Sequence, residues 1–577
     1  MSDRSVLLLI WGITFLLYLP AIKAGWVIDA AGWLAHVQDK SEGLTAYLNR
    51  SWSTIPGMYQ FTQLITLGFY KVWGVNPYAW SLLYELLHTF NAFLFFVVFR
   101  AVLTDSGYDV STARKIALTT AVLFTICPHI SEVLIWKACY HYLQGFLMIL
   151  ICLYCFVTWQ RTKKFRYVVL SALVFLCSVF TLEYFYLTPL FLFSFAVYYA
   201  VLPTARKGGF VKSVGYFVVP QTLAFVLYGY LFHKLYPGAK PHVYNLISQS
   251  FSDYFSKGPK YLFHVLLLGR FYSFPTRLFV YRFCESAVGM VLSYGICFWL
   301  AIRVWRRGCS GEPYYRVQTL IIVLATLSLI ILFPLAFPDQ PLLVFYDRYL
   351  YVAAPFLFLI ICLWVYHTPK KFIAAVLFIG FAGCNLYRTI QLNLLWKHAN
   401  YVTNRLLTEF PDPGSRTVLL LNAPGNMNGA AMIGAAPDGA WKTLRKVLLH
   451  QDTPASVYEV LSYNLTGLHD ACRVFTLNDS MLYVSFNQVG NWWTYNGLGA
   501  KDYTNAEYTV ALRRWRNDYV LTLKHPWSHY LILNDVDGNW VPVKFDPGPR
   551  DYFDDREFNV VRYQEWKLCD GERGAFR

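Results

Sequence analysis

Apolar runs of about twenty residues recur from Val6 to Ile390, and a run of that length is what a helix needs to cross a bilayer. Eleven candidate spans can be drawn, at about 5–23, 78–103, 113–131, 140–159, 167–185, 187–202, 214–236, 282–305, 317–337, 349–367 and 372–390. Charged residues make up 15% of the 577-residue chain, against about 25% in ordinary soluble domains. Together with a mean hydropathy of +0.37, this predicts a polytopic α-helical membrane protein.

The formal charge of +16 is not a nucleic-acid footprint, because the basic residues collect in short loops between spans. Arg100 with Arg114 and Lys115, Arg161 to Arg166, Arg206 to Lys212, Arg303 to Arg316, and Lys370 with Lys371 all fall in alternate loops. Basic residues favour the cytoplasmic face. The pattern therefore predicts a cytoplasmic N-terminus and an extracytoplasmic C-terminal region. The first run is longer than a signal-peptide core and lacks an A-x-A-like cleavage site, so it is expected to remain as the first span. In a bacterium the membrane would be the cytoplasmic (inner) one, and in a eukaryote that of the endoplasmic reticulum.

This topology divides the chain into a membrane domain, 1–395, and an extracytoplasmic soluble domain, 396–577. Two long loops, 24–77 and 237–281, lie outside, and the first holds an amphipathic stretch from Gly57 to Trp73 suited to the interface. Beyond about 391 Gly, Asn, Asp and Pro become frequent and the apolar runs shorten. Strand patterns after Arg416 and in VFTLN, LYVSF, YVLTL and HYLIL, with a short helix from Asp438 to Leu448, predict an α/β or α+β domain. Most cysteines lie in apolar runs, where they act as small hydrophobes. Only Cys472 and Cys569 could pair in the C-terminal region. The one CxxC spacing, Cys152 to Cys155, lies inside an apolar run without a second such pair, no HExxH spacing occurs, and no helical repeat of about 34 residues is visible.

Acidic residues are rare in the membrane half, and an ionisable group at membrane depth is a functional candidate by default. Asp29 follows span one, Glu132 ends span three, Glu183 ends span five, and Asp347-Arg348 opens span ten. All fall on the extracytoplasmic side of the predicted topology, as do Lys137, His141 and the basic loop that carries Arg270 and Arg277. Bland roles compete. Asp29 suits a helix N-cap, Glu132 and Glu183 suit the interface, and Arg348 suits pairing with Asp347 or snorkelling. His36, His88 and His129 lack metal spacing and are expected to be structural, and Trp26, Trp33 and Trp136 suit interface anchoring.

Four stretches, in order, resemble the GT-C superfamily of polytopic glycosyltransferases. They are VIDAAGWL, the segment from Asn49 to His88 with its GVNP turn, CPHISEVLIW, and YDRYLYVAAPF. The closest likeness is to the protein O-mannosyltransferases of the tetratricopeptide-repeat type and related bacterial membrane enzymes, over about residues 5–400. In this chain Ala30 follows Asp29 where the family often has a second acid. Cys127 and Ile130 replace histidines, Leu182 replaces a lysine, and the repeat domain is absent.

The resemblance implies transfer of a hexosyl or pentosyl group from a polyprenyl-phosphate donor to an acceptor hydroxyl. The acceptor is a protein, glycan or lipid outside the cytoplasm, and membrane lipid is a further partner. It assigns Asp29 to the catalytic proton transfer. Arg348 is the first candidate for the donor phosphate, helped by Lys137, Arg270 and Arg277, since guanidinium binds phosphate bidentately. Glu132, Glu183, His141, Asp347 and Tyr351 would support. A divalent cation such as Mg or Mn is a candidate cofactor, with Asp29 and Glu132 as its candidate ligands. Competing expectations are a flippase or transporter of lipid-linked sugars, and a non-catalytic membrane scaffold. Acids gathered at one face, without the internal repeats typical of transporters, favour the enzyme.

Overall fold

The computed structural model describes residues 2–38, 44, 58–181, 186–202, 209–238, 251–272, 274–309, 312–336, 347–434, 440–453, 455–465, 472–486, 493–494, 502–512 and 518–545. Among these, six helices are long and apolar enough to cross a membrane: Asp3–Ala21, Pro77–Asp105, Lys137–Thr162, Gly209–Leu235, Ala287–Gly308 and Lys371–Thr408. Val110–Thr125 and Pro128–Ile135 form a seventh if counted as one bent span. Arg166–Ser178, Leu187–Ala200, Tyr314–Leu329 and Ala354–His367 are apolar but shorter. The 14 residues of Leu187–Ala200 rise only about 21 Å, short of a hydrocarbon core of about 30 Å. The expected count of eleven spans is therefore not established.

Local sequence sets the helix boundaries. Asn76 caps Pro77–Asp105, its side chain accepting from the N–H groups of Tyr78 (3.0 Å) and Ala79 (3.4 Å), with Pro77 at the first helical position. Asp109 caps Val110–Thr125 through the Thr112 N–H at 2.9 Å. Pro128 has no N–H to continue that helix, and the chain bends by 56° between Val110–Thr125 and Pro128–Ile135. The bend begins the segment that carries His129 and Glu132.

The packing has the inside-out character of a bilayer protein. Leu16, Val211, Phe298 and Phe372 are exposed, as suits helices bathed in lipid tails. Polar side chains turn inward instead. Asn91 donates to the Leu143 carbonyl at 3.0 Å, Asn393 to that of Leu17 at 2.8 Å, and Thr389 to that of Ile126 at 2.7 Å. Such bonds hold helices together where no hydrophobic force between them exists. The predicted amphipathic stretch is a helix, Gln60–Trp73, that buries its polar face: Thr62, Gln63 and Thr66. Thr62 donates to Gln144 Oε1 at 2.9 Å.

The segments expected as long loops contain helices. Asp29–Gln38 and Gln60–Trp73 lie within 24–77, and Phe251–Leu266, Gly269–Phe271 and the start of Phe274–Glu285 within 237–281. Residues 39–43, 45–57 and 239–250 lie outside the described residues. The helix Lys371–Thr408 runs through residue 395 without a break. Its 38 residues rise about 57 Å, well beyond a bilayer core. The composition change near 391 thus marks where the helix becomes polar, not where it ends.

Among the described residues, the C-terminal region carries three sheets. In the first, Thr417–Leu420 pairs in parallel with both Tyr530–Val536 and Val457–Glu459, and Asn539–Pro542 joins antiparallel at the edge. An antiparallel sheet holds Cys472–Asn478, Met481–Phe486, Asp518–Leu523, Tyr508–Leu512 and Tyr503–Thr504 in that order. The third joins Ala430–Ala431, Ala423–Met427, Ser462–Leu465 and Trp493–Thr494. The expected short helix is Trp441–Leu449. Cys472 is buried, with Sγ 3.0 Å from Asn534 Oδ1. Cys569 lies outside the described residues.

This region is fastened to the helices. The Trp441 and Trp540 indoles both donate to the Leu406 carbonyl at 2.8 Å, satisfying an acceptor near a helix C-terminus. Gln38 donates to the Val447 carbonyl at 3.1 Å, and the Ile28 N–H to that of Met432 at 3.2 Å.

Candidate functional site

The turn before Asp29 is built on two unusual backbone positions. Gly25 has φ of 107°, and its carbonyl accepts from the Lys137 N–H at 3.0 Å. A Cβ here would stand 1.8 Å from the Ile135 carbonyl oxygen. Ile28 has φ of 32°, rare for a β-branched residue and a form of strain that gathers at functional sites. Trp26 and Trp33 stack at 5.7 Å, and Trp80 meets both rings edge-on at 5.6 and 5.4 Å. All three indoles are buried, and so is Trp136, so Trp26, Trp33 and Trp136 form core where interface anchors were expected. Gly25→Ala is expected to lower stability by about 1–2 kcal/mol from the left-handed backbone alone, with the clash adding to this. Thermal unfolding in detergent measures it.

Asp29 is the first residue of the helix Asp29–Gln38, not the residue before it. Its carboxyl is solvent-accessible yet surrounded closely by protein. Desolvation raises its pKa above the ordinary value, and the positive charge of Arg348 offsets part of the rise. No hydrogen bond or ion pair engages this carboxylate among the described residues.

Glu132 and Arg348 form a buried pair beside it. The Arg348 guanidinium donates to Glu132 Oε1 at 2.5 Å, and the Arg348 backbone N–H to Oε2 at 2.9 Å. Arg348 also lies against the Trp136 and Tyr349 rings, at 5.1 and 4.9 Å, with 14% of its side chain accessible. Cys139 lies within electrostatic reach of Asp29, Glu132 and Arg348 together. His141 lies within reach of Arg348, its ring 4.5 Å from that of Tyr142.

Asp347 faces a second, adjoining cluster. His264 Nε2 is 2.7 Å from its Oδ1, His129 Nδ1 is 3.3 Å away, and Arg270 donates to Oδ2. Burial opposes the charge of Asp347, but Arg270 and the two imidazoles outweigh it and hold the carboxyl well below its usual range. Burial lowers His264 to about 4, against the partial support of Asp347. Arg270 also donates to the Asn428 carbonyl at 3.0 Å. Asn428 and Gly429, with φ of 46° and 95°, make the two-residue turn between Ala423–Met427 and Ala430–Ala431, a strong hairpin signal. Arg277 is buried within electrostatic reach of Arg270.

Not every expected residue joins these clusters. Lys137 is buried and donates to Ser81 Oγ at 2.7 Å, with Glu85 as a nearby countercharge. Tyr351 is buried among helices, its hydroxyl 2.8 Å from His88 Nδ1 and accepting from Asn91 at 3.1 Å. Glu183 lies outside the described residues. No sequence signal pointed to His264, isolated in an aromatic helix, or to Glu85. His129, expected to be structural, sits one turn before Glu132 and could have been grouped with it.

The proposed cation pair of Asp29 and Glu132 does not suit a metal, because both Glu132 oxygens are engaged by Arg348. His129, His264 and Asp347 offer three ligand atoms within 4.8 Å of one another. Two imidazoles and a carboxylate suit zinc-type ions better than Mg, which prefers oxygen.

No protein-family model matches the chain, and no curated protein matches it. Among solved structures it is similar to the archaeal oligosaccharyltransferase AglB from Archaeoglobus fulgidus in complex with an inhibitory peptide and a dolichol-phosphate. The identity there is 11% and the TM-score 0.40, covering 79% of this chain and 64% of that one. It is similar to the Archaeoglobus fulgidus oligosaccharyltransferase in complex with Zn and sulfate at 11% identity and TM-score 0.36, covering 78% and 62%. This chain thus spans less than two thirds of the length of either, and at these scores the likeness bears on neither its reaction nor its substrate.

Proposed function

We propose that the protein is a GT-C-type glycosyltransferase of the extracytoplasmic membrane face, moving a sugar from a polyprenyl-phosphate donor to an acceptor hydroxyl. The observation that carries this is the contrast between three carboxylates. Glu132 and Asp347 are held by arginines, while Asp29 is accessible, unengaged among the described residues, and raised in pKa by its surroundings. That is the state of a group available to accept a proton. Asp29 takes the acceptor hydroxyl's proton as its oxygen bonds to the anomeric carbon. The bond from that carbon to the phosphate oxygen breaks, and the phosphate leaves with the electron pair. Arg348, partly accessible beside Glu132, meets the charge developing there. The apolar helix surfaces accommodate the polyprenyl chain.

The test uses purified protein, synthetic polyprenyl-phosphate sugars and a set of hydroxyl acceptors. Release of polyprenyl phosphate coupled to acceptor glycosylation is expected. Donor that moves between leaflets of a vesicle without bond cleavage would establish the transporter reading instead.

A further inference from the structure

A second constellation lies in the C-terminal region, apart from the residues of the proposed transfer site. Glu507, His525 and His529 bring their ligand atoms within 4.8 Å of one another. Both imidazoles turn Nε2 to the same carboxylate oxygen: His529 is 3.2 Å from Glu507 Oε2, and His525 is 3.9 Å from it. The two rings lie 4.7 Å apart. Donor atoms around a tetrahedral zinc ion at about 2.0–2.1 Å are separated by little more than 3 Å, so small side-chain rotations close this set.

The backbone holds the three residues in place. Asn505 Oδ1 accepts from the N–H groups of Glu507 and Tyr508 at 2.8 Å, fixing the turn into Tyr508–Leu512. The Lys524 N–H donates to the Glu507 carbonyl at 2.9 Å, and the Tyr530 hydroxyl donates to the same carbonyl at 2.7 Å. That hydroxyl accepts from the His525 N–H at 3.2 Å. Pro526 then leads into the tight turn Trp527–His529, closed by the His529 N–H on the Pro526 carbonyl at 2.9 Å. The hairpin edge and the histidine turn are therefore joined by two hydrogen bonds to the Glu507 backbone carbonyl, with each side fixed by its own local bonds. His525 and His529 are exposed and Glu507 is partly so, which leaves an entry path for an ion.

We propose that Glu507, His525 and His529 form a binding site for a zinc-type divalent cation. Two imidazole nitrogens and one carboxylate oxygen are a donor set suited to zinc and its neighbours. Three protein ligands leave a fourth position for water or an anionic group. The Thr417 hydroxyl, 3.1 Å from His529 Nε2, lies where it can hydrogen-bond that fourth ligand. Occupancy would clamp the Tyr503–Leu512 hairpin to the entry of the parallel strand Tyr530–Val536, independently of any sugar transfer.

The full-length protein in detergent, stripped with a chelator and dialysed, would be titrated with zinc by calorimetry and with cobalt by visible absorption. The His525→Ala/His529→Ala double variant, altered only at exposed side chains, would be treated in the same way. It is expected to bind one zinc equivalent fewer than the unaltered chain and to lose the cobalt bands of a nitrogen–oxygen site. Glu507→Gln is expected to bind at least about 10- to 100-fold more weakly, the range over which even outer-shell partners act. Equal stoichiometry and affinity in the double variant would overturn the proposal. So would a zinc affinity weaker than about 0.1 mM in the unaltered chain, a binding energy below about 5.5 kcal/mol.

Discussion

Asp29→Asn is expected to lower transfer by about 10²–10⁴-fold, the range that a positioned general base contributes, with donor binding nearly unchanged. The amide preserves the shape of the side chain but cannot take a proton. Because the protein around Asp29 raises its pKa, the low-pH limb of the rate profile should lie above the ordinary carboxylate value. The rate should rise with pH as Asp29 loses its proton, and this limb should vanish in the variant. Single-turnover kinetics with preloaded donor measures the chemical step directly. A variant that turns over normally would remove Asp29 from the mechanism.

Glu132→Ala is expected to destabilise the protein by about 3–5 kcal/mol, because it leaves the Arg348 charge buried without its partner. The pair is tight, with both Glu132 oxygens engaged by Arg348. The paired replacement Glu132→Gln with Arg348→Met removes both charges and should recover most of that loss. Donor affinity separates the two roles of Arg348. If its guanidinium meets the phosphate, the paired variant folds but binds polyprenyl phosphate weakly. If Arg348 serves only Glu132, the paired variant binds donor as well as the unaltered protein does. Unfolding in detergent and binding to a fluorescent polyprenyl phosphate measure the two quantities.

The Asp347 cluster predicts a pH dependence of stability with a definite sign. The folded state holds His264 near 4, against about 6.5 in an unfolded chain. The unfolded state therefore binds more protons between these values. Stability contributed by neutral His264 is fully present above about 6.5 and is lost as pH falls toward 4. Asp347, also depressed, adds a loss at still lower pH. His264→Gln should flatten the first limb and leave the second. Unfolding followed from pH 7 to pH 4 would show whether it does.

The membrane character of the chain was legible because hydrophobic run length is a one-dimensional property. Six full-length apolar helices appear where runs were long. Asn76, Pro77, Asp109 and Pro128 set helix boundaries through local backbone chemistry, although the span drawn at 113–131 ran through Pro128. The strand patterns of the C-terminal region were legible for the same reason, though its three-sheet pairing was not. Lys137 shows the limit of reasoning by level alone. It was grouped with Arg348 as a phosphate contact, but its ammonium donates to Ser81 with Glu85 nearby.

By itself, the sequence determined that the chain is built on apolar helices and that its few charges among them are candidates for function, since stranded charges are costly in lipid. It singled out Asp29, Glu132 and Arg348 as candidates. Tertiary structure alone decided which charges meet. It paired Arg348 with Glu132, surrounded Asp347 with His129, His264 and Arg270, and left Asp29 accessible. It also laid the Asn428-Gly429 turn against Arg270. The reason is physical: pairing depends on distances of a few ångströms between groups separated by 77 to 218 positions in the chain (Arg270 and His129, each to Asp347), and hydropathy carries no record of them.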